Sequence, residues 1–310
     1  HGELWASNIK DFLAKKDWLD RPLHIISANL HSVMNSLYAK AALNGTHARQ
    51  DFIDLVELLS QDAAKNQRRQ VEQYALDNGM YFIEDQSGTS IGVQIFDLTE
   101  IDFDKLPDEI KGNKEEIQQE QPLILVMDDA LGEQDYETMD ELLKPYEVKE
   151  TQTPINVHSI SIMGKAGILC GDKGDIMVAT AHVFEGTADN YPVENDLKKS
   201  DFEGYGLKVF EGPMVTVLGT SLQNKEILRF FLKSSWEAVG LEMEGAHYQK
   251  AIQAAAKIRK SIREDVTLRY AYYASDNPLI TGATLASGSL GLEGVRPTYL
   301  VTMKILSKIF

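Results

Sequence analysis

The chain has 310 residues, of which 43% are hydrophobic and 25% are charged, and its formal net charge is −16 at pH 7. This composition is typical of a globular protein, and the length suits one large α/β domain or two small ones. The acidity argues against nucleic acid as a partner, because phosphate backbones are bound by clustered Lys and Arg, but it permits a small phosphorylated ligand. No run of about 18 apolar residues occurs, so we expect no membrane partner.

The single cysteine, Cys170, excludes a disulfide within this sequence and indicates a reducing, cytoplasmic compartment. A free cysteine is most often buried, so we expect a structural residue rather than a nucleophile. The sequence begins at His1, with neither an initiator Met nor a basic-then-apolar signal pattern. We interpret this as an artificial junction or a trimmed end, and the sequence leaves open whether native residues precede it.

Four segments before residue 99 have a regular apolar pattern. They are a helix over residues 3–17 with Leu4, Ile9, Phe12 and Leu13 on one face, one or two helices over 47–78, and hairpin strands over 80–83 and 91–96.

A short buried strand, Pro22 to Ser27, leads into a helix that we expect to begin near Asn29. A strand that feeds a helix N-terminus can hold an anion, and Ser27, Asn29 and His31 are candidate phosphate- or anion-binding residues in this turn. Capping of the helix by Asn29 or Ser32 is the alternative.

The best internal boundary is an acidic stretch from Thr99 to Gln121 that contains few aromatic residues. Such a stretch is typical of an exposed helix or a linker. We therefore predict an N-terminal extension over residues 1–121, possibly integrated into the same domain as the rest, and a second unit over residues 122–310.

Three predicted strands in this second unit end in small or acidic residues. The strand 122–127 exits into a turn with Asp128, Asp129 and Glu133, the strand 157–163 into Gly164-Lys165-Ala166-Gly167, and the strand 213–218 into Gly219-Thr220-Ser221-Leu222. Small residues let backbone N–H groups approach a ligand closely. Acidic residues at a helix start can also simply stabilise the helix dipole.

Residues 235–278 have the pattern strand, alanine-rich helix, strand, with Glu244 after the first strand and Asp276 after the second. In a parallel α/β sheet, ligands bind beyond the carboxyl ends of the strands, so a βαβ unit would bring both carboxylates to one rim. One can stay ionised and accept hydrogen bonds from a diol, and the other can act as a general acid. The alternative is that both are solvated surface groups.

The C-terminal part has a glycine-rich stretch, Thr281 to Gly294, followed by Arg296 and a predicted helix from Thr298 to Ile309. Arg296 is a candidate for a phosphate or a subunit contact, and a purely structural role at the helix start is equally open.

Three of these segments resemble motifs of the purine nucleoside phosphorylase and nucleosidase superfamily. Leu241–Ala246 resembles its "EMEgA" signature, Ala274–Pro278 its "SD" motif, and residues 163–180 its "GsaGgL…GDivia" segment, in the same order. The similarity covers roughly residues 155–310, and the closing stretch is most similar to AMP nucleosidase. The resemblance implies a mixed twisted sheet flanked by helices in a three-layer α/β fold, with residues 122–310 as the catalytic domain.

The resemblance also implies roles for the matching residues. Glu244 would hold the ribose hydroxyls, with Glu242 and Met243 beside it, and Asp276 would protonate or hydrogen-bond N7 of the purine, with Asn277 next to it. The loop of Thr220, Ser221 and Leu222 would line the base, where the family often has an aromatic residue. In the nucleosidases the first strand exits into an acidic turn that activates water, which makes Asp128, Asp129 and Glu133 candidates.

Two departures from the family pattern matter. Lys165 follows Gly164 where phosphorylases have a small hydroxyl residue that holds phosphate, so it either takes the phosphate position with its own charge or binds an anionic group of another substrate. An exposed loop lysine is the alternative. In addition, the strand-turn-helix element that the family places between its first strand and the glycine-rich segment is absent there. The element over residues 22–43 would be that piece in a permuted chain.

We therefore expect cleavage of the N-glycosidic bond of a purine nucleoside or nucleotide, by water rather than by phosphate. A phosphate-dependent phosphorylase and a non-catalytic nucleotide-binding protein are the alternatives. The resemblance implies a homo-oligomer, with the apolar helices of residues 3–60 as possible contacts. We expect neither a metal nor an organic cofactor.

Overall fold

The structure is a computed structural model, and it describes residues 1–44, 51–110, 112–187, 189–219, 224–280 and 291–310. Its helices are α1 (Gly2–Lys15), α2 (Leu30–Ala42), α3 (Phe52–Leu59), α4 (Lys65–Asp77), α5 (Lys114–Glu120), α6 (Glu133–Leu142), α7 (Lys225–Lys233), α8 (Gly245–Gln253) and α9 (Leu292–Ser307). Its strands are β1 (Leu23–Ser27), β2 (Met80–Ile83), β3 (Val93–Asp97), β4 (Leu123–Met127), β5 (Tyr146–Val148), β6 (Thr151–Thr153), β7 (Val157–Ile168), β8 (Ile176–Phe184), β9 (Asn190–Pro192), β10 (Val209–Thr216), β11 (Gly240–Glu242) and β12 (Thr267–Asp276).

A ten-stranded mixed sheet runs through the molecule in the order β11-β10-β8-β12-β7-β1-β4-β3-β2, with β9 beside β8. Strands β4, β1, β7 and β12 are mutually parallel, so their carboxyl ends lie at one edge. Strand β11 also pairs with β7, so β7, β12, β8, β10 and β11 close into a ring. The α/β class predicted from the sequence is confirmed.

Buried apolar side chains cover both faces of this sheet in two large clusters. Helices α2, α3 and α9 contribute to one cluster, and α1, α6 and α8 to the other. The apolar faces of α1, α2 and α3 are therefore used within the chain, rather than spare for the subunit contact that the sequence suggested. On α1 the buried residues include Trp5 and Ile9, whereas Leu4, expected inside, is 51% exposed.

Strand β1 lies inside the main sheet, between β4 and β7. Leu23 is the register partner of Leu123 on one side and of Val157 on the other. The permutation hypothesis requires this spatial position, because it inserts the element over residues 22–43 between the strands β4 and β7.

The sheet also crosses the boundary predicted at residue 121, because β1, β2 and β3 precede it. The acidic stretch before that boundary is anchored to the core rather than free, since Ile101, Leu106, Ile110 and Ile117 are buried together with residues of α9. This supports the alternative in which residues 1–121 are integrated with the rest.

The βαβ prediction for residues 235–278 is wrong in one respect. Strand β11 is antiparallel to β7, whereas β12 is parallel to it, so β11 and β12 run in opposite directions. The reason is the closed ring. Strand β11 follows β10 around the ring and pairs with Gly167 and Ile168, the last two residues of β7. Gly167 of β7 is the register partner of both Leu241 and Asp276, so the two strand ends still meet.

Strand β7 is longer than expected and extends through Ile168, so Gly164 and Lys165 lie within a strand and not in a loop. Cys170 follows it and is exposed, contrary to the expectation of a buried thiol. Among the described residues, no helix combines the length and apolar composition needed to cross a bilayer.

Candidate active site

A small cavity of about 100 Å³ lies at the carboxyl ends of β1, β4 and β7. It is lined by Ser27, Asp129, Ala130, Leu131, Ile162, Met163, Gly164, Lys165, Glu244, Tyr248 and Tyr272. Larger cavities of about 920, 620 and 540 Å³ exist elsewhere, and among those predicted site residues that the structure describes only Glu133 lines one of them. Chemistry rather than size therefore identifies the candidate site, since the small cavity is lined by residues from five separate segments at the functional edge of the sheet.

Glu244 lies at the N-terminus of α8 and reaches the cavity half-buried. Its Oε2 accepts a hydrogen bond from its neighbour's backbone, Met243 N, at 2.9 Å. Burial raises the pKa of Glu244, and the negative charges of Glu242 and Asp129 raise it further, whereas Lys165 opposes them. The carboxyl therefore sits in a recess where a hydrogen-bonding ligand would replace lost water.

Glu242 does not line the cavity, although the sequence analysis placed it beside the ribose. It is 1% exposed, and its Oε1 accepts a hydrogen bond from Thr216 Oγ1 at 2.5 Å. Its Oε2 accepts from the backbone N–H groups of Glu244 and Gly245. These donors are the unpaired N–H groups that begin α8, so the carboxyl anchors the helix behind the cavity wall. Met243 packs against the apolar cluster on the same side and is also absent from the lining.

Asp129 follows β4 and lies on the cavity rim. Its side chain is exposed at this rim, yet the surrounding protein and the charge of Asp128 raise its pKa to about 6, with Lys165 acting in the opposite direction. Asp129 is thus ionised at neutral pH and able to accept a proton. Of the other two candidates in this turn, Asp128 does not line the cavity, and Glu133 begins α6 and lines the 620 Å³ cavity together with His247.

Lys165 is exposed, as the alternative of an exposed lysine requires, but it lines the cavity and lies near enough to three carboxylates from different strand ends to affect their charge. Its positive charge lowers the pKa values of Asp129, Glu244 and Asp276 against the effect of burial. Its neighbour Gly164 leaves open space on the cavity side, because a Cβ built there would meet no atom within 4 Å. The ammonium therefore supplies positive charge to all three acids rather than neutralising one.

Asp276, at the end of β12, is 7% exposed and does not line the small cavity. Its Oδ1 accepts a hydrogen bond from Ser275 Oγ at 2.9 Å, and its Oδ2 is buried with no hydrogen-bond partner in the described part of the chain. Burial raises its pKa, which favours a proton donor. Asn277 braces the neighbouring turn by donating from Nδ2 to the Gly171 carbonyl at 2.9 Å.

The predicted anion-binding residues separate into two groups. Ser27, Gly164 and Lys165 meet at the cavity. Asn29 caps α2 by accepting from Ser32 N at 3.0 Å, which is the alternative weighed from the sequence. Two further candidates are exposed outside the cavity: His31, in the first turn of α2, and Arg296, on α9, where it donates to the Tyr205 carbonyl at 3.0 Å. The predicted base-binding residues Thr220, Ser221 and Leu222 lie outside the described residues.

Two tyrosines that the sequence analysis did not single out form part of the cavity wall. Tyr248 lies four residues after Glu244 in α8, and this spacing on one helix face could have revealed it. Tyr272 lies in β12, four residues before Asp276, but a register shift between Ala274 and Asp276 interrupts the alternation of the strand, and only Tyr272 lines the cavity. The Tyr272 hydroxyl forms a 2.9 Å hydrogen bond with Nε2 of the buried His182.

The fold is that of known nucleosidases. The chain is similar to the 5'-methylthioadenosine/S-adenosyl homocysteine nucleosidase of Helicobacter pylori, with a TM-score of 0.54 and 15% identity over 94% of this chain and 100% of the other. Futalosine hydrolase from the same organism gives a TM-score of 0.52 and 13% identity over 93% of this chain and 100% of the other. The Neisseria meningitidis 5'-methylthioadenosine/S-adenosylhomocysteine nucleosidase, in complex with methylthio-immucillin-A, gives a TM-score of 0.53 and 9% identity over 92% of this chain and 99% of the other.

In sequence, the family model described as "Family of unknown function (DUF6909)" matches residues 51–310, and the chain belongs to this family. No curated protein matches the chain.

Proposed function

We propose that the protein hydrolyses the N-glycosidic bond of a purine nucleoside or nucleotide. The observation that carries this proposal is the arrangement of Asp129, Glu244 and Asp276, from three separate segments, around Lys165. Structural neighbours that act as nucleosidases support the reaction class at the level of the fold.

Each carboxyl group has a distinct task in the proposed reaction. Glu244 holds the ribosyl hydroxyls in the cavity. Asp276 donates its proton to N7 of the purine as the bond from C1′ to N9 breaks, which makes the base a better leaving group. Asp129 accepts a proton from the water whose oxygen bonds to C1′. The transition state resembles an oxocarbenium ion, so base departure and cation stabilisation both lower the barrier. A positioned general acid contributes about 10²–10⁴-fold.

The cavity volume restricts which part of the ligand it holds. About 100 Å³ is well below the roughly 300–1,000 Å³ of typical ligand sites. We infer that the ribosyl part occupies the cavity and that the base extends towards Asp276, with side-chain movement on binding. The exposed Leu131 at the rim is a candidate for such movement, since it is 68% exposed.

Lys165 favours water over phosphate as the attacking group. The lysine side chain itself fills the position next to which a phosphorylase would hold inorganic phosphate with a small hydroxyl residue, so the attacking anion has no room there. The same ammonium, together with Ser27, provides a candidate contact for a 5′-phosphate, as the similarity to AMP nucleosidase in the closing stretch suggests. A binding protein without turnover is the second candidate, favoured by the small volume of the cavity.

The decisive experiment incubates the protein with AMP, adenosine, inosine and methylthioadenosine, each with and without inorganic phosphate, and separates the products by chromatography. We expect free base, with ribose or its 5′-substituted form, at the same rate with and without phosphate. Base that appears only with phosphate would establish a phosphorylase instead. A thermal shift with these ligands but no released base would establish the binding protein.

A further inference from the structure

The cavity of about 920 Å³ shares no lining residue with the candidate active site. Its wall is built by α1, the end of α6, the hairpin of β5 and β6, and the end of the π-helical turn Ala254–Arg259 that follows α8. Both α6 and α8 begin near the candidate active site, so this cavity lies at their opposite ends. Its volume falls within the roughly 300–1,000 Å³ of typical small-molecule sites.

Lys10 of α1 contributes a buried ammonium group to the wall of this cavity. The residue is 6% exposed, and its Nζ donates a hydrogen bond to the Glu141 carbonyl at 2.6 Å. An ammonium has three N–H donors, and within the described chain Lys10 has no second acceptor and forms no ion pair. Buried charges are normally paired, because they lose their hydration on burial. Two donors and one positive charge therefore remain for a group that occupies the cavity.

The carboxylates nearest to Lys10 are engaged by other cations. Glu141 pairs with Lys144 at 2.5 Å. Asp140 pairs with Arg259 at 2.5 Å and with Lys144 at 3.7 Å. Three cationic side chains thus share two carboxylates, which leaves one positive charge in excess. Burial lowers the pKa of Lys10 to about 8, with Lys144 and Arg259 acting in the same direction and Glu141 against them, so the amine is still charged at pH 7.

The remaining charged side chains of the wall do not compensate this ammonium. Asp11 accepts a hydrogen bond from the tyrosine hydroxyl of β5 at 3.0 Å. Glu3 and Glu147 are exposed to solvent, and so is Lys260, a fourth cation of the wall. Water and salt screen exposed charges much more than buried ones, so the buried ammonium has the largest influence on a ligand in the cavity.

We propose that this cavity binds a small organic anion, whose phosphate or carboxylate group accepts hydrogen bonds from Lys10 Nζ, with Arg259 and Lys260 beside it. The volume leaves room for more than the anionic group, and Pro145 and Pro154 supply apolar surface for the rest of the ligand. The π-helical turn supports a binding role, because this rare conformation occurs frequently at functional sites.

Isothermal titration calorimetry at pH 7 in a phosphate-free, low-salt buffer tests the proposal, with inorganic phosphate and succinate as separate probes. The proteins are wild type, Lys10→Met and Lys15→Met. Lys15 is exposed at the end of the same helix, so its variant removes an equal charge outside the cavity.

We expect at least one probe to bind wild type and Lys15→Met equally well. Lys10→Met should bind that probe at least about tenfold more weakly, the size of one lost hydrogen bond to a charged group. Binding of phosphate alone would identify a phosphate ester as the ligand class, and binding of succinate alone a carboxylate. Equal affinity in Lys10→Met, or no binding of either probe to wild type, would overturn the proposal.

Nuclear magnetic resonance of the lysine side chains tests the contact in the wild-type protein, so it does not depend on the folding of Lys10→Met. The Lys10 resonance should titrate near pH 8 without ligand. A saturating concentration of the bound probe should move this titration to higher pH, because a neighbouring anion stabilises the ammonium. The Lys15 titration should stay unchanged. A Lys10 titration that the probe does not move would show that the anion binds elsewhere. Neither measurement depends on nucleoside cleavage.

Discussion

Two strand-to-helix junctions of this protein each bury an acidic side chain, and they satisfy it in different ways. Where β11 meets α8, Glu242 precedes the helix and accepts hydrogen bonds from Thr216 and from the first N–H groups of α8. Where β4 meets α6, Asp135 already lies inside the first turn, and neither of its oxygens has a partner in the described chain.

The difference shows how position relative to a helix start decides the role of an acid. A carboxylate just before the helix reaches the unpaired N–H groups. Burial raises the pKa of Glu242 to about 7, and the bonds from these N–H groups oppose that rise. A carboxylate two or three positions later is carried to a side of the helix, where only its surroundings decide its charge. Asp135 meets an apolar, acidic interior there and keeps its proton.

The largest expected effect concerns the reaction itself, at the third acid of the site. Asp276→Asn should lower kcat by about 10²–10⁴-fold, because the amide cannot protonate the leaving base. Base release under saturating nucleoside measures this effect. Asp20→Asn, an exposed acid just before the opposite end of β1, is the control and should keep wild-type activity. An active Asp276→Asn variant would remove this residue as the general acid.

The comparison of the two junctions is sharpened by stability. Glu242→Ala should lower the free energy of unfolding by about 3 kcal/mol, since its carboxyl accepts three hydrogen bonds, each contributing roughly 1 kcal/mol, and the buried donors become unpaired. Urea unfolding followed by circular dichroism measures this change. Glu244→Ala, whose carboxyl faces the cavity, should change stability much less. Equal losses in the two variants would contradict the assignment of Glu242 to the helix.

Lys165 should control the acid limb of the pH profile. Activity requires ionised Asp129, so it should be lost as pH falls through about 6. Lys165 lowers the pKa of Asp129, and Lys165→Met should therefore move this loss to higher pH. The pH dependence of kcat/KM tests the shift, with Lys173→Met, whose ammonium pairs with exposed Glu293, as the control. An acid limb at the same pH in Lys165→Met would show that Lys165 does not act on the base.

The smallest expected effect is on stability at the other junction. Folded Asp135 keeps its proton up to about pH 9, whereas the unfolded chain loses it near 3.8, so unfolding releases a proton between these values. Stability contributed by this group therefore falls as pH rises through that window. Asp135→Asn removes this pH dependence. Its Tm should exceed that of wild type by at least about 2 °C at pH 8, which corresponds to a stability difference of roughly 1 kcal/mol. At pH 5 the difference should be smaller. A constant difference would show that Asp135 is ionised in the fold.

The fold was largely predictable because its signals are local. The apolar run from Leu123 to Met127 is buried throughout, and the turn before α2 is capped by Asn29 as its residue type allows. The direction of β11 was not predictable, because it depends on closure of the ring with β7, a contact between distant parts of the chain. Strand periodicity contains no information on which neighbour a three-residue strand meets.

The candidate site was predictable only in part for the same reason. Asp129, Lys165 and Glu244 were found because each follows, or lies within, a recognisable strand or motif. Tyr248 and Asp135 were missed, since a tyrosine and an acid within helices resemble ordinary core and surface residues until packing places one at the cavity and buries the other.

By itself, the sequence determined the α/β class, most elements and the acids at the strand ends, because these follow from residue type and short-range spacing. Only the tertiary structure decided that Glu242 anchors a helix, that Ser27 shares a cavity with Lys165, and that Asp135 is buried with no hydrogen-bond partner among the described residues. Charge state and hydrogen bonding depend on desolvation by residues far away in the chain, and no local pattern specifies that.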